Sequence, residues 1–246
     1  MMLNNVEHTT LFNGAVTVWQ PLQGYRFAVD SLLLAAFTPA NSKQTVLDLG
    51  IGVGAASLAL AFQHSDIIVH GIDIQADVLE IARRNIEANH WPNRFELFGG
   101  NLKNRLIKGH SYDHVIMNPP YFERHTYTNS LYQHKTISNG EGDTSLKDWI
   151  SEGHRALKSR GYITIIHTAR RLDHLLELLT FNFGGIEIFP ILSKQGVPAK
   201  RILVRARKAV KSPLTLHSGL VLHNEDGSFT SEALSIIQDG QKIVLI

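Results

Sequence analysis

The sequence predicts an α/β fold with a mostly parallel central sheet, and three features predict it. Between residues 45 and 183, short apolar runs alternate with stretches of helical periodicity, the pattern of strands covered on both faces by helices. One strand run is joined to its helix through closely spaced glycines, Gly50-Ile51-Gly52-Val53-Gly54. A later apolar run, residues 112–117, ends in Asn118-Pro119-Pro120-Tyr121, and ligands of open α/β sheets bind at the carboxyl ends of such strands.

Each element follows from its local pattern. Residues 11–20 (LFNGAVTVWQ) partly alternate and carry Asn13-Gly14, a hairpin turn pair. In GYRFAVDSLLLAAF, Asp30 or Ser31 can cap a helix whose apolar side is Leu32, Leu33, Ala36 and Phe37, and Pro39 ends it. Gly24-Tyr25-Arg26, just ahead, is read as a segment that folds over a bound ligand. Residues 45–49 (TVLDL) form a strand, the glycines turn it, and residues 55–62 continue as a helix. Residues 67–73 (IIVHGID) are a second strand ending in an acid, and residues 75–89 place Val78, Leu79, Ala82 and Ile86 on one helical face. Residues 94–98 (RFELF) give a third strand followed by Gly100-Asn101-Leu102, and residues 112–117 (YDHVIM) a fourth. After a polar stretch, residues 146–157 read as a helix with Trp149 and Ile150 inward, and 158–161 turns into a fifth strand at 162–167. A helix over 170–183 precedes an antiparallel terminal pair, 186–192 and 201–206, joined by 193–200. The tail from Pro213 has a short apolar run (220–222), the turn Glu225-Asp226-Gly227 and a capped helix from Thr230. Without repeats or a second composition, one domain is expected over 1–246, with an N-terminal extension (1–42), a core (43–208) and a tail (209–246).

Composition narrows the classes. A chain of 246 residues with 43% hydrophobic content can bury one large core. The absence of cysteine excludes disulfides, thiolate metal sites and cysteine nucleophiles. The opening MMLNNVEHTT lacks the regions of a signal peptide, and the longest compact apolar run, 32–37, is too short for a bilayer. A cytoplasmic location with no membrane partner is therefore expected. A formal charge of +2 and pI near 8.8 permit a nucleic-acid partner. Thirteen histidines raise a metal site, but there is no HExxH, and the nearest candidates, His125 and His134, stand nine apart in a loop, so no metal is expected.

The residue types at the strand ends suggest chemistry. The Asn118 carboxamide oxygen can accept from an exocyclic amine, and a prolyl pair offers carbonyls but no N–H donors. Two acceptors on one NH2 hold it and draw the nitrogen lone pair out of conjugation with its ring. Tyr121 or Phe122 can stack on the heterocycle, worth ~1–3 kcal/mol per base. The plainer alternative is a Pro-Pro turn that only ends a strand. The glycine turn lets a ligand lie on bare backbone at a helix N-terminus, and Asp73 is placed to accept from both ribose hydroxyls. Gly50, Gly52 and Ala55 also satisfy the dinucleotide fingerprint, which keeps a nicotinamide-dependent oxidoreductase in view. Asp48, immediately before the glycines, would repel a pyrophosphate and suits an ammonium or sulfonium, and hydride transfer has no use for an amine grip. Residues 123–143, with Arg124, His125, Tyr127, Tyr132, His134 and Lys135, interleave cations with aromatics, which fits single-stranded nucleic acid or a plain surface loop. Lys194, Lys200, Arg201, Arg205, Arg207, Lys208 and Lys211 form a basic stripe, either a phosphate track or protection of an edge pair against aggregation.

Together, Asp48-x-Gly50-x-Gly52-x-Gly54, Asp73 and Asn118-Pro119-Pro120-Tyr121 resemble the class I S-adenosylmethionine-dependent methyltransferases of the amino-methylating branch. Within that branch the chain is most similar to the bacterial tRNA(valine) adenine-N6 methyltransferases, through QPLQGYRFAVD (20–30), GDTSLKDWI (142–150), PAKRILVRARK (198–208) and LVLHNEDGSFT (220–230). The resemblance implies a Rossmann-like, seven-stranded sheet, mostly parallel with an antiparallel terminal strand, behind a short N-terminal hairpin and helix. It implies S-adenosylmethionine as cofactor and tRNA as partner; separately, a monomer or weak dimer is expected. Its cofactor residues would be Tyr25, Asp30, Asp48, Gly50, Gly52, Gly54, Asp73, Ile74, Asn101, Leu102 and Asn118. Its catalytic group would be Asn118, Pro119, Pro120 and Tyr121; the family's tRNA recognition is not carried by a short motif, and the substrate contacts expected from the aromatic and basic pattern are Phe122, Arg124, Lys135, Lys194, Lys200 and Arg201. Asn101 is a departure, since many relatives carry Asp there to accept from the adenine amine. A protein-glutamine methyltransferase acting on a release factor stays open, because a glutamine amide also fits two acceptors. So does a non-catalytic RNA-binding module that keeps the fold.

Overall fold

In the computed structural model, which describes residues 6–22, 28–121 and 144–245, the chain opens with an antiparallel hairpin, β1 (Val6–Leu11) and β2 (Val16–Pro21). Its turn bends at Asn13 and Gly14, with φ of 53° and 92°, the left-handed conformations for which Asn and Gly are best suited. The far edge of β2 is not left bare. Asn85 and Asn89 each exchange both amide hydrogen bonds with its backbone, Asn85 with Trp19 (2.6 and 2.9 Å) and Asn89 with Thr17 (2.9 and 2.7 Å). Two side chains one helical turn apart thus complete a sheet edge.

Helix α1 (Val29–Phe37) follows, with Leu33, Leu34 and Ala35 fully buried. Neither Asp30 nor Ser31 caps it: the N-cap is Ala28, with no side-chain cap bond. Asp30 lies one turn-position inside, where its carboxylate is committed to tertiary partners described below.

The central sheet comprises β3 (Thr45–Leu49), β4 (Ile68–Asp73), β5 (Phe95–Gly99), β6 (Tyr112–Met117), β7 (Leu157–Thr168), β8 (Phe183–Leu192), β9 (Arg201–Lys208) and the short β10 (Thr215–Leu216) and β11 (Leu220–Val221). Its order is β10-β8-β9-β7-β6-β3-β4-β5, with β11 also on β8. All pairings are parallel except those of β9, which is antiparallel to both β7 and β8. The seven long strands match the expected mostly parallel sheet with one antiparallel strand. The two extra strands come from the tail, where only a short apolar run was legible. Helices α2 (Ala55–Gln63), α3 (Ala76–Ala88), α4 (Leu146–Ala156), α5 (Leu172–Thr180) and α6 (Ser231–Asp239) complete the chain. Strand alternation sends Val46 into the core under α1 and α2, and Leu47 and Leu49 into the core under α4 and α5.

Three further boundaries differ from expectation. The fifth strand begins at Leu157 rather than Tyr162, because 158–161 is a bulge: Tyr112 pairs Leu157 and the next partner, His114, pairs Tyr162. The helix expected over 170–183 is α5 alone, preceded by a turn of 3-10 helix over Ala169–Arg171. Phe183 already belongs to β8, whose irregularity at Gly184-Gly185 hides the strand in sequence. A Cβ on Gly184 would stand 2.1 Å from the Val210 carbonyl oxygen, so the tail presses directly on this backbone.

Candidate active site

The parallel register brings four chain turns to one level. Leu49 of β3 pairs Met117 of β6 on one side and Ile72 of β4 on the other, while Asp73 pairs Gly99 of β5. Gly50, Asp73, Gly100-Asn101 and Asn118 therefore leave neighbouring strands side by side.

The glycine turn is held from below. The Gly50 and Ile51 N–H groups donate to the Ile72 carbonyl at 2.8 and 3.1 Å, and the Gly52 N–H donates to Asp73 Oδ2 at 2.9 Å. Gly50 has φ +70°, and an added Cβ would fall 2.4 Å from the Trp149 ring of α4. Gly54, at φ +88°, opens α2. The turn thus needs glycine both for its dihedrals and for the indole packed against it.

Two carboxylates lie at the carboxyl ends of β3 and β4, Asp48 one residue before the end of β3 and Asp73 last in β4. Asp48 is only 3% exposed and accepts from Ser57 Oγ at 2.7 Å. Burial pushes its pKa up to about 7, against the Ser57 hydrogen bond and with the help of the Asp73 charge. Asp73 accepts from the Gln75 N–H at 3.0 Å as well as from Gly52, yet burial still raises its pKa. Among the described residues, no Lys, Arg or His pairs with either acid. Buried carboxylates without a counter-charge are costly, and a ligand bringing an ammonium or sulfonium beside Asp48 and ribose hydroxyls to Asp73 would relieve that cost. This pair of acceptors fits S-adenosylmethionine.

Around these acids, Ile74 is 64% exposed and Leu102 is buried. Asn101 caps a short 3-10 turn, its Oδ1 accepting from the Lys103 N–H at 2.9 Å, with Thr144 Oγ1 at 3.5 Å. Asn118 follows β6, Pro119 is buried and Pro120 half-buried. The Tyr121 hydroxyl lies 2.8 Å from Asn118 Oδ1 and 2.9 Å from Asp30 Oδ2. Arg201 donates from Nε to Asp30 Oδ2 at 3.0 Å and places its guanidinium 4.4 Å from the Tyr121 ring centre. His167 meets that ring edge-on at 5.3 Å. Asp30 thus joins Tyr121 and Arg201, and Arg201 points into the strand-end cluster. Lys194 and Lys200 are exposed on the β8–β9 connection, Lys194 donating to the Glu225 carbonyl at 2.8 Å. Tyr25, Phe122, Arg124 and Lys135 lie outside the described residues, as do His125 and His134. Among the described residues no cluster of metal-ligating side chains occurs, and no helix is long and apolar enough to cross a membrane.

Ser57, Trp149 as the wall of the glycine turn, and His167 were not singled out in sequence as site residues. Ser57 had a signal: it stands nine residues after Asp48, in the first turn of the helix that the glycines start. The basic stripe divides. Arg205 pairs with Glu187, and Lys208, only 6% exposed, donates to the His154 and Leu157 carbonyls at 2.6 and 2.8 Å. Neither is a surface cation, because β9 is an interior strand.

The profile of the methyltransferase small domain family matches residues 27–189. The chain is 27% identical to a tRNA1(Val) (adenine(37)-N6)-methyltransferase of Shewanella baltica, over 88% of this chain and 92% of that protein. It is 25% identical to one of the same name from Actinobacillus succinogenes, over 87% and 89%. A crystal structure from Agrobacterium tumefaciens, described as a predicted O-methyltransferase, superimposes with a TM-score of 0.72 at 25% identity, covering 87% of this chain and 98% of that one. The crystal structure of M. jannaschii TYW2 in complex with AdoMet, similar in fold, gives a TM-score of 0.59 at 15% identity, over 82% of this chain and 85% of that one. The chain belongs to the methyltransferase small domain family and is an S-adenosylmethionine-dependent methyltransferase.

Proposed function

We propose that the methyl acceptor is the exocyclic N6 amine of an adenine in tRNA, the adenine next to the anticodon of valine tRNA. The observation that carries this reading is the placing of Asn118-Pro119-Pro120 at the carboxyl end of β6, one strand away from the Gly50 turn and Asp48. An acceptor-rich, donor-poor corner beside the cofactor acids selects an amine or amide as nucleophile. The names of the relatives, and a chain of net charge +2, support RNA as its carrier.

S-adenosylmethionine, when bound, supplies an electrophilic methyl group on a cationic sulfur. The protein's part is binding and aim. Asp48 and Asp73 hold the polar ends of the cofactor. Asn118 Oδ1 and the Pro119 carbonyl accept from the two amine hydrogens and bring the nitrogen lone pair to bear, so that rate comes from positioning rather than from a strong base. The methylated nitrogen is acidic and passes its proton to an acceptor at Asn118 or to water. An adenine unstacked from its loop can reach this corner. A tRNA substrate places the reaction in the cytoplasm.

A glutamine side chain presents the same NH2, so the discriminating experiment offers both acceptors. Labelled methyl donor is incubated with enzyme and either unmodified valine tRNA or a bacterial release factor. Label in the RNA alone is expected; label in the release factor alone would overturn the reading.

A further inference from the structure

Tyr121 is gripped by groups from three elements. A phenol carries one proton, and the Tyr121 oxygen lies within bonding distance of two acceptors, Asn118 Oδ1 at 2.8 Å and Asp30 Oδ2 at 2.9 Å. It can donate to only one of them at a time. Arg201 Nε donates to that same Asp30 oxygen at 3.0 Å, which neutralises it and weakens its pull on the phenol proton. The same guanidinium lies 4.4 Å from the ring centre, a cation–π contact that fixes the ring. His167, fully buried against the ring edge, adds no competing charge, since burial lowers its pKa to about 4.

We propose that Arg201 is a positioning residue for methyl transfer: by holding Asp30 and Tyr121 it directs the Tyr121 hydroxyl to Asn118 Oδ1, and so fixes which way round the Asn118 carboxamide faces the incoming amine. The inference rests on the amine-transfer reading above. A carboxamide has an accepting end and a donating end. A half-turn about its last bond would present N–H donors to a nucleophile that needs an acceptor. A phenol proton donated to Oδ1 disfavours that half-turn, and a carboxamide oxygen that takes one such bond keeps the capacity to accept from the amine. Arg201 comes from the antiparallel β9 and Asp30 from the first turn of α1, so the orientation of Asn118 depends on two elements remote in sequence from its own strand.

The test is a double-mutant cycle of Arg201→Gln and Tyr121→Phe, read in two ways. In turnover on tRNA, each single variant should lose ~10–100-fold in kcat, with KM for tRNA changed by no more than about twofold, and the double variant should be no slower than the slower single. In 15N-labelled protein without RNA, the Asn118 side-chain NH2 signals, assigned by their loss in Asn118→Asp, should move in Arg201→Gln but move no further when Tyr121→Phe is already present. Multiplicative losses in kcat would overturn the inference. So would an unmoved Asn118 NH2, or a raised KM with a shallower salt dependence and full kcat, the signature of a phosphate contact. Wild-type enzyme that fails to methylate tRNA, with the NH2 coupling present, removes the RNA reading and leaves the positioning role standing. Should Arg201→Gln fail to fold, Arg201→Lys, which keeps the charge but not the planar cover, carries the same cycle.

Discussion

With the ligand's ammonium placed at the buried Asp48, as proposed, cofactor binding is a proton-coupled event. Its pKa in the free protein is about 7, and the carboxylate must be ionised to meet the ligand's ammonium. Below pH 7, binding must therefore displace a proton and weakens as the solution becomes more acid. About 1% of Asp48 is ionised at pH 5, about 9% at pH 6 and half at pH 7, so affinity should rise about 50-fold from pH 5 to 7. This window lies below the ligand's own α-amino pKa, of the ordinary ~7.7–8.0. Calorimetric titration with S-adenosylhomocysteine, which carries the same amino acid and ribose, measures both affinity and proton release. Repeating it at pH 6 in buffers of different ionisation enthalpy should give about 0.9 proton released per ligand. In Asp48→Asn the steep pH dependence and most of the proton release should vanish, along with much of the affinity. A wild-type affinity flat between pH 5 and 7, with no proton released, would refute the placing of the ammonium at Asp48.

The same carboxylate should reduce the stability of the free protein. Its folded pKa is raised, so the folded state holds the proton that the unfolded state releases, and stability falls as pH rises from about 4 to about 7. Without ligand, Asp48→Asn should accordingly melt higher than wild type at pH 8 and no higher at pH 4; a variant less stable at pH 8 contradicts this. Asn118→Ala should lower kcat by more than ~100-fold while S-adenosylhomocysteine binds as before, and undiminished turnover would exclude Asn118 from the chemistry. Gly50→Ala should cost about 2–4 kcal/mol in urea unfolding, from a left-handed dihedral and a clash with Trp149. Gly14→Ala, at φ +92° with open space around it, should lose only the conformational part, ~1–2 kcal/mol; equal losses would show that the indole yields freely. Lys208→Met should destabilise by about 2–4 kcal/mol, because it leaves the buried Leu157 carbonyl and the part-buried His154 carbonyl without their donor, and a change near zero would mean that water replaces the ammonium.

Much of this fold was legible because parallel strands buried on both faces read as unbroken apolar runs, and because glycine and proline punctuate their ends. The runs at 45–49, 67–73 and 112–117 needed no tertiary knowledge. What escaped was polar material doing a tertiary task. Asn85 and Asn89 sit among ordinary helical residues, and nothing local says that they pair with the backbone of β2 from over sixty positions earlier. The basic stripe misled because linear counting ignores alternation: on β9, Arg201, Arg205 and Arg207 share one face with Leu203, while Lys208 lies on the other with Val204 and Ala206. Alternation was available to separate them, but not the fact that β9 lies inside the sheet. At the site, the residue types of the glycine turn, Asp48 and Asp73 were legible, whereas the roles of Asp30 and Arg201 depend on where α1 and β9 happen to meet Tyr121.

The most direct measurement is the identity of the modified nucleoside. Total tRNA from a bacterium lacking this enzyme is incubated with it and a deuteromethyl-labelled S-adenosylmethionine, digested to nucleosides and resolved by mass spectrometry, with Asn118→Ala in parallel. The label is expected in N6-methyladenosine and is lost in the variant. Label in N1-methyladenosine, in a ribose 2′-O-methyl nucleoside, or in no nucleoside while the cofactor still binds, would contradict it.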